Sequence, residues 1–254
     1  MISLYLNLGL LLLGCASLWF VISLIIKRND VADIAWGLGY VGLCIYHYLS
    51  FPQHITALIV YLLVSLWGIR LSVYIGIRNA GKTEDFRYRQ WREEWGTTFY
   101  WRSFLQVYVL QAFFLLVIST PIIMAAQSAA MDWHWSGPVG IGLWLFGFYW
   151  QAVGDYQLAQ FRKRRRDRSE IMQTGLWKYS RHPNYFGEIV MWWAVFIVVL
   201  PLQYGIYGIV SPVLITWLIT SVSGVPMLES KYEGNAAFEA YKQKTPALFP
   251  YFRK

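Results

Sequence analysis

Polar side chains able to bind a charged, ring-containing ligand interrupt an apolar stretch of the sequence, LWKYSRHPNYFGEIVMWW at 176–193. Asn184 carries an amide that both donates and accepts hydrogen bonds, and Glu188 carries a carboxylate acceptor. Tyr179 and Tyr185 add flat aromatic surfaces. These residue types suit a heterocycle whose polar groups are held while its ring lies in an apolar setting.

The segment before it, GDYQLAQFRKRRRDRSE at 154–170, supplies complementary charges. Asp155 can accept hydrogen bonds from ribose hydroxyls or a carboxamide, as an acidic residue does in soluble dinucleotide-binding folds. The basic side chains that follow present donors suited to phosphates. They are Arg162, Lys163, Arg164, Arg165, Arg166 and Arg168. Together the two segments predict a site for a bulky anionic cofactor.

The elements that position these residues are predicted to be membrane helices. Of the 254 residues, 57% are hydrophobic and only 14% are charged, which is typical of a chain dissolved in lipid. Because unpaired backbone groups cannot lie in hydrocarbon, apolar runs of this length must be helical. We therefore predict an all-α polytopic protein with seven transmembrane helices, at about 3–26, 31–49, 54–78, 104–127, 137–158, 186–200 and 204–222.

The positions of Lys and Arg predict the orientation of these helices. All of them except Arg70 fall in the first, third and fifth loops or in the C-terminal tail. The positive-inside rule makes this face cytoplasmic, with the N-terminus outside and the C-terminus in the cytoplasm. The net charge of +8 thus belongs to one face, where it attracts membrane lipids. No soluble basic domain exists to bind nucleic acid.

Ionisable residues within predicted spans are candidates for function, because placing them in a bilayer is costly. They are Asp33, Arg70, Asp155 and Glu188. All lie near the cytoplasmic ends of their helices, so they either line one cavity that opens to the cytoplasm or serve as pairs that hold helices together.

Other patterns argue against competing chemistries. The four histidines are scattered and the two cysteines lie in apolar runs, so no metal site is predicted. No serine lies in a G-x-S-x-G elbow. The glycines of GLGYVG at 37–42 lie inside an apolar span, where small residues indicate close helix packing rather than dinucleotide binding.

Longer motifs resemble a known family. GDYQLAQFR and GLWKYSRHPNYFGE, together with DIAWGLG, LWGIRL, EDFRYRQWRE and FEAYKQKTPALFP, resemble the membrane steroid 5-alpha-reductase family, in particular its bacterial branch of uncharacterised members. The resemblance implies a seven-span enzyme of the bacterial inner membrane that holds NADPH in a cytoplasmic cavity. Its activity would be reduction of a carbon–carbon double bond conjugated to a ketone, in a lipid-like molecule that arrives from the bilayer.

The resemblance also divides the chain and assigns residues. Residues 1–80 would form the substrate-side helices, 81–103 an interfacial cytoplasmic segment, and 104–254 the cofactor-binding helices and tail of one membrane domain. The cofactor-binding positions would be Arg70, Gln151, Asp155, Arg162, Arg181, His182, Asn184, Tyr185, Glu188, Glu229 and Tyr241, with Tyr179 as an aromatic surface.

The catalytic acid departs from the family pattern. The steroid enzymes polarise the substrate ketone with a Glu on the second span and a Tyr on the third. Here Trp67 aligns with that Tyr, and no Glu precedes Glu84. The enolate charge that develops on hydride transfer still requires a nearby acid. Asp33 is the candidate, with a structural pairing to Arg70 as its alternative role.

Two other functions remain open from the sequence. Isoprenylcysteine carboxyl methyltransferases also have an RHP-x-Y-x-G segment and a tail that ends near T-x-x-F-P, similar to TPALFP here. They use S-adenosylmethionine, which has no phosphate. The long GDYQLAQFR helix and the basic rim at 162–168 favour the reductase. A scaffold or transporter on the same fold would bind no cofactor.

Overall fold

A computed structural model describes residues 2–129, 134–167 and 169–252, and every regular element among them is a helix. The all-α prediction is therefore confirmed for this part of the chain. Arg168, which was predicted to belong to the basic rim, lies outside the described residues. The chain divides into two compact units, Met1–Asp132 with Leu202–Tyr207, and Trp133–Pro201 with Gly208–Lys254.

The first unit contains seven α-helical segments among its described residues. They are α1 (Ile2–Ile26), α2 (Val31–Ser50), α3 (Ile55–Asn79), α4 (Phe86–Trp95), α5 (Phe99–Ser103), α6 (Leu110–Ile118) and α7 (Thr120–Gln127). Helices α2 and α3 pack as an antiparallel pair at Gly37 and Gly68, where a Cβ on either glycine would collide with the backbone of the other. The packing interpretation of GLGYVG is thus confirmed.

The predicted fourth span differs in its boundaries from the helix that the structure shows. Residues Phe86–Ile118 form one nearly continuous helical stretch that includes a π-helical turn at Phe104–Val109. The stretch ends at Ser119, because Pro121 near the start of α7 has no backbone N–H with which to continue the ladder. The charged aromatic segment after Lys82 thus forms α4, which leads into the apolar helix through a turn at Gly96, and its interfacial position stays a prediction.

The second unit is built on two long antiparallel helices. Helix α8 (Ser136–Arg164) packs against α9 (Pro183–Val199) along most of the length of α9. Three shorter helices complete the unit, namely α10 (Val210–Trp217), α11 (Val225–Glu229) and α12 (Ala236–Lys244).

Glycines form the contact between α8 and α9. Gly140, Gly147 and Gly154 follow one another at seven-residue spacing along α8, and a Cβ on any of them would press against α9. Gly187 of α9 lies against the backbone of Gly147 and Gln151. Small residues let helix backbones approach closely, which is how helices associate in lipid. We call these four positions the glycine seam.

The apolar helices indicate a membrane protein. Among the described residues, four helical stretches are long and apolar enough to cross a bilayer: Ile2–Ile26, Ile55–Asn79, Phe86–Ile118 and Gly205–Tyr232. Helix α9 is apolar but shorter. The chain is therefore a helical membrane protein, while the count of seven spans and its orientation stay predictions.

Candidate functional site

Two hydrogen-bonded rungs cross the interface of α8 and α9. In the first, Gln151 Nε2 donates to Glu188 Oε2 at 2.9 Å. In the second, Asn184 Nδ2 donates to Asp155 Oδ1 at 3.0 Å. The rungs lie one helical turn apart because each helix contributes residues at positions i and i+4. We call these residues the polar rungs.

The glycine seam explains how the polar rungs form. Gly187 lies next to Glu188, and Gly154 lies next to Asp155, so each rung lies beside a glycine at which the two helices approach closely. Pro183 is the first residue of α9, a position where its missing N–H costs nothing. Asn184 consequently lies in the first turn of α9, facing α8.

Gln151, Asp155 and Glu188 of the polar rungs are buried, and the half-buried Asn184 carries a buried acceptor without a donor. Asp155 is 4% exposed and Glu188 is 9% exposed. Asn184 Oδ1 is buried and accepts no hydrogen bond from any described residue. The bond from Nδ2 to Asp155 sets the orientation of the amide and leaves Oδ1 as the acceptor. A buried acceptor without a donor is costly and commonly marks a ligand or water position.

The segment before α9 holds the C-terminal tail in place. Arg181 donates two bonds to Glu229, from Nε to Oε1 at 2.8 Å and from Nη2 to Oε2 at 3.1 Å. Its Nη1 donates to the Thr245 carbonyl at 2.6 Å. His182 Nε2 lies 2.9 Å from Glu229 Oε1. All three nitrogens of the Arg181 guanidinium thus bind protein, which indicates a positioning residue rather than a phosphate ligand.

Tyr241 makes a second contact that holds the tail against the segment before α9. Its hydroxyl donates to the Trp177 carbonyl, and burial raises the pKa of the phenol. Trp177 Nε1 in turn donates to the Gly154 carbonyl of α8 at 3.1 Å. The structure therefore fixes this segment between α8 and the tail, so Tyr241 supports the site through the backbone.

The remaining predicted residues of the second unit lie around this core. Arg162 is exposed in the last turn of α8, two turns beyond Asp155 and on the same side of the helix. Tyr185 stacks on His182 with an interplanar angle of 17°. Tyr179 packs against Phe252, with ring centroids 4.7 Å apart.

The predicted residues of the first unit occupy different surroundings. Asp33 accepts bonds from Arg87 Nη2 at 2.6 Å and from the Tyr88 hydroxyl at 2.7 Å. The structure thus pairs Asp33 with Arg87 and Tyr88 rather than with Arg70, the alternative partner considered from the sequence. The Arg70 guanidinium lies 5.3 Å from the centre of the Tyr74 ring.

Trp67 is buried between α2 and α3. It is 2% exposed, and its ring meets the edge of Tyr40 with centroids 5.4 Å apart. The position that aligns with the catalytic Tyr of the steroid enzymes is thus part of the packed contact between these helices.

A family model described as "Protein of unknown function (DUF1295)" matches residues 19–245. The chain belongs to this family. The matched range includes both polar rungs, Asp33, Arg87, Glu229 and Tyr241. An uncharacterized protein of the fission yeast Schizosaccharomyces pombe is 25% identical over 224 residues, which cover 74% of this chain and 61% of that relative. The matched region thus spans about three fifths of the length of this curated relative.

Several residues that shape the site were not predicted from the sequence. Gln157 Oε1 accepts from the Leu176 backbone N–H at 2.9 Å and fixes the start of the 176–182 segment. Arg87 and Tyr88 provide the partners of Asp33. A carboxylate inside a predicted span requires a donor, and the EDFRYRQ segment contains arginine and tyrosine side chains that can donate to it. The need for a donor to Asp33 was the sequence signal that could have pointed to Arg87 and Tyr88.

Proposed function

We propose that this chain is an NADPH-dependent membrane reductase that acts on the conjugated carbon–carbon double bond of a lipid-like enone. The open Asn184 Oδ1 is the observation that carries the proposal, since a buried acceptor at the end of an apolar helix pair calls for a ligand with N–H or O–H donors. Membership of DUF1295 over most of the chain supports it, because that family is associated with steroid 5-alpha-reductase-like proteins.

The groups on the second unit fit the proposed cofactor. Asp155, Asn184 and Glu188 are acceptors for ribose hydroxyls and a carboxamide. The exposed Arg162, Lys163 and Arg164 at the end of α8 offer positive charge for phosphates. The distance from Asp155 to Arg162 along the helix is about 10 Å, at 1.5 Å per residue. Acceptors and cations are thus separated along one helix, as a ligand with a neutral polar end and a phosphate end requires.

The chain's own residues then orient the ligand and exclude water. When bound, NADPH supplies the hydride. The polar rungs are fixed by the glycine seam, so the acceptors need no rearrangement when a ligand binds. Burial around them keeps competing water away and strengthens each hydrogen bond.

The acid that would stabilise the enolate is a separate part of the proposal. Asp33 stays the predicted acid, but both of its carboxylate oxygens already accept bonds, one from Arg87 and one from Tyr88. Its surroundings support a structural role better than a catalytic one.

The topology proposal follows from the same residues. We propose seven spans, with α2, α8 and α9 crossing the bilayer in addition to the four long apolar stretches. The N-terminus would lie outside, and the site would face the cytoplasm. The basic residues at the end of α8 and in the tail support this orientation.

Ligand binding by the purified full-length protein tests the function. We expect NADPH to quench tryptophan fluorescence saturably, whereas S-adenosylmethionine should not. Asn184→Ala should weaken NADPH binding about tenfold, as expected for one lost hydrogen bond of roughly 1 kcal/mol and a released amide anchor. Gly142→Ala is the matched control, because nothing lies within 4 Å of a Cβ built at Gly142.

Each alternative result has a definite meaning. Binding of S-adenosylmethionine alone would make the same residues a methyltransferase site and end the reductase proposal. Unchanged NADPH affinity in a folded Asn184→Ala variant would show that the polar rungs are not part of the NADPH site. Binding of neither molecule would favour a scaffold or transporter.

A further inference from the structure

The end of α12 and the segment that follows it line an open cavity that the cofactor proposal does not use. The cavity has a volume of about 460 Å³ and is lined by residues of 242–246 and 249–251. Its walls are held by the backbone. The Arg181 N–H donates to the Pro246 carbonyl at 2.9 Å, and the Tyr251 N–H donates to the Tyr179 carbonyl at 3.0 Å. The cavity is therefore a fixed part of the second unit.

The aromatic residues of this segment are unusually exposed. Phe249 is 70% exposed, Tyr251 57% and Phe252 66%. Rings of this size are unfavourable in water but are stable at the level of lipid head groups, where aromatic residues concentrate.

Two ring contacts fix the depth of the segment. Phe249 meets Phe186 in the first turn of α9, with ring centroids 6.1 Å apart. Phe252 meets Trp150 in the apolar part of α8, with ring centroids 6.5 Å apart. The segment therefore packs against the first turn of α9 and the middle of α8, so its exposed rings lie beside apolar helix surface.

The charge of the cavity is positive and weakly neutralised. Lys242 and Lys244 line it. Lys242 has one acidic neighbour, Glu239 at 3.5 Å, and both of these side chains are largely exposed. Exposed pairs of this kind contribute little and exchange readily with other ions. Lys244 forms no ion pair with any described residue. An ammonium group is a point charge, which suits a phosphodiester without demanding forked geometry.

We propose that this cavity binds the head group of an anionic glycerophospholipid. The phosphodiester would lie between Lys242 and Lys244, and the glycerol and first acyl carbons would lie against Phe249 and Tyr251. A free phosphate would use the lysines but not the exposed rings. A neutral lipid would use the rings but not the lysines. The combination of both features selects an anionic lipid and anchors the tail to the membrane.

Native mass spectrometry of the delipidated full-length protein tests this proposal. The probes are dioctanoyl phosphatidylglycerol, dioctanoyl phosphatidylcholine and glycerol 3-phosphate. We expect phosphatidylglycerol to bind about tenfold or more tightly than phosphatidylcholine, and glycerol 3-phosphate not to compete. Lys242→Gln combined with Lys244→Gln should remove this preference, because each lysine contributes about fivefold to the affinity for an anionic lipid. Lys82→Gln, which removes an exposed lysine outside the cavity, is the control and should keep the preference.

A second variant separates the ring contribution from the charge contribution. Phe249→Ser should weaken both lipids by similar factors and leave their ratio unchanged. Three results would overturn the proposal: an unchanged preference in the double lysine variant, competition by glycerol 3-phosphate at the affinity of the lipid, or a parallel loss of NADPH binding. The last would assign the lysines to the cofactor. Melting temperatures of all variants confirm that each is folded.

Discussion

The carboxylates of the first unit and those of the polar rungs in the second unit accept hydrogen bonds from different kinds of side chain. In the first unit the carboxylates accept bonds from arginine side chains. The pairs are Asp30 with Arg28, Asp33 with Arg87, Glu84 with Arg92 and Asp85 with Arg87. We call this group the acid–arginine network. In the polar rungs of the second unit, by contrast, Asp155 and Glu188 accept bonds from the amides of Asn184 and Gln151.

The difference lies in the hydrogen-bonding groups that each partner still offers after it has bound the carboxylate. A guanidinium has only donors, so an arginine that binds a carboxylate neutralises its charge and closes the contact. An amide also carries an acceptor and neutralises no charge. Asn184 consequently reaches Asp155 with one end and presents an open acceptor with the other. The comparison suggests that the acid–arginine network stabilises helices while the polar rungs bind a ligand.

The largest effect should come from breaking the acid–arginine network. Asp33→Leu leaves the buried Tyr88 hydroxyl without its acceptor, and it leaves the Arg87 guanidinium with Asp85 as its remaining carboxylate partner. We expect the free energy of unfolding to fall by about 3 kcal/mol, the low end for a broken buried pair, because the two charged side chains are 16% and 23% exposed. Unfolding in mixed micelles measures this loss. NADPH affinity of the folded fraction should stay unchanged.

A double variant checks the cause of that loss. Asp33→Leu combined with Arg87→Met removes both charges, so most of the stability should return. If the single variant were as stable as the native chain but inactive, Asp33 would be catalytic, and the contrast between the units would fail.

A smaller effect is expected from closing the space in the glycine seam. The Cβ of Gly187→Ala would collide with the Gly147 carbonyl and the Gln151 backbone, which forces α8 and α9 apart. Overpacking of this kind costs about 1–3 kcal/mol. Both polar rungs should open, and NADPH binding should weaken with them.

Gly142→Ala on α8 again provides the control, because its Cβ meets open space. Equal behaviour of the two alanine variants would show that the seam does not position the rungs.

The smallest effect on stability should follow from releasing the tail. Arg181→Gln removes the paired bonds to Glu229 but leaves the backbone bond from residue 181 to Pro246. This pair is more buried than Asp33 with Arg87, but the glutamine amide can still donate to Glu229, and His182 Nε2 stays 2.9 Å from the carboxylate. We therefore expect a loss of only about 1 kcal/mol. Limited proteolysis should cut the segment after α11 faster than in the native chain. Lys178→Gln, nearby and exposed, should show the native cleavage rate, and accelerated cleavage there would instead indicate a general loss of charge.

Much of the helical framework follows from the apolar runs. The predicted spans 31–49 and 54–78 correspond to Val31–Ser50 and Ile55–Asn79, within one residue at each end. The sixth span was predicted to begin at 186, but α9 begins at Pro183. An apolar count misses this start because Asn184 and Tyr185 are polar, whereas proline in a first helical turn is itself a start signal.

The contacts between helices were harder to predict. The sequence contains the i, i+4 spacing of Gln151 with Asp155 and of Asn184 with Glu188, so each pair lies on one helix face. Which residue meets which depends on the antiparallel register. The seven-residue spacing of Gly140, Gly147 and Gly154 marks the contact face of α8, but the register is set by Gly187 on the other helix. No local pattern links the two.

The length of α9 has a consequence for the surrounding bilayer. Its 17 residues span about 26 Å, whereas a typical hydrocarbon core is about 30 Å thick. If α9 crosses the bilayer as proposed, it has no excess length to absorb by tilting, and the lipid beside it would thin by a few ångströms. That thinning brings the aqueous boundary closer to the first turn of α9. A polar molecule could thus reach Asn184 with a shorter passage through hydrocarbon, and the protein would be most stable in thin membranes.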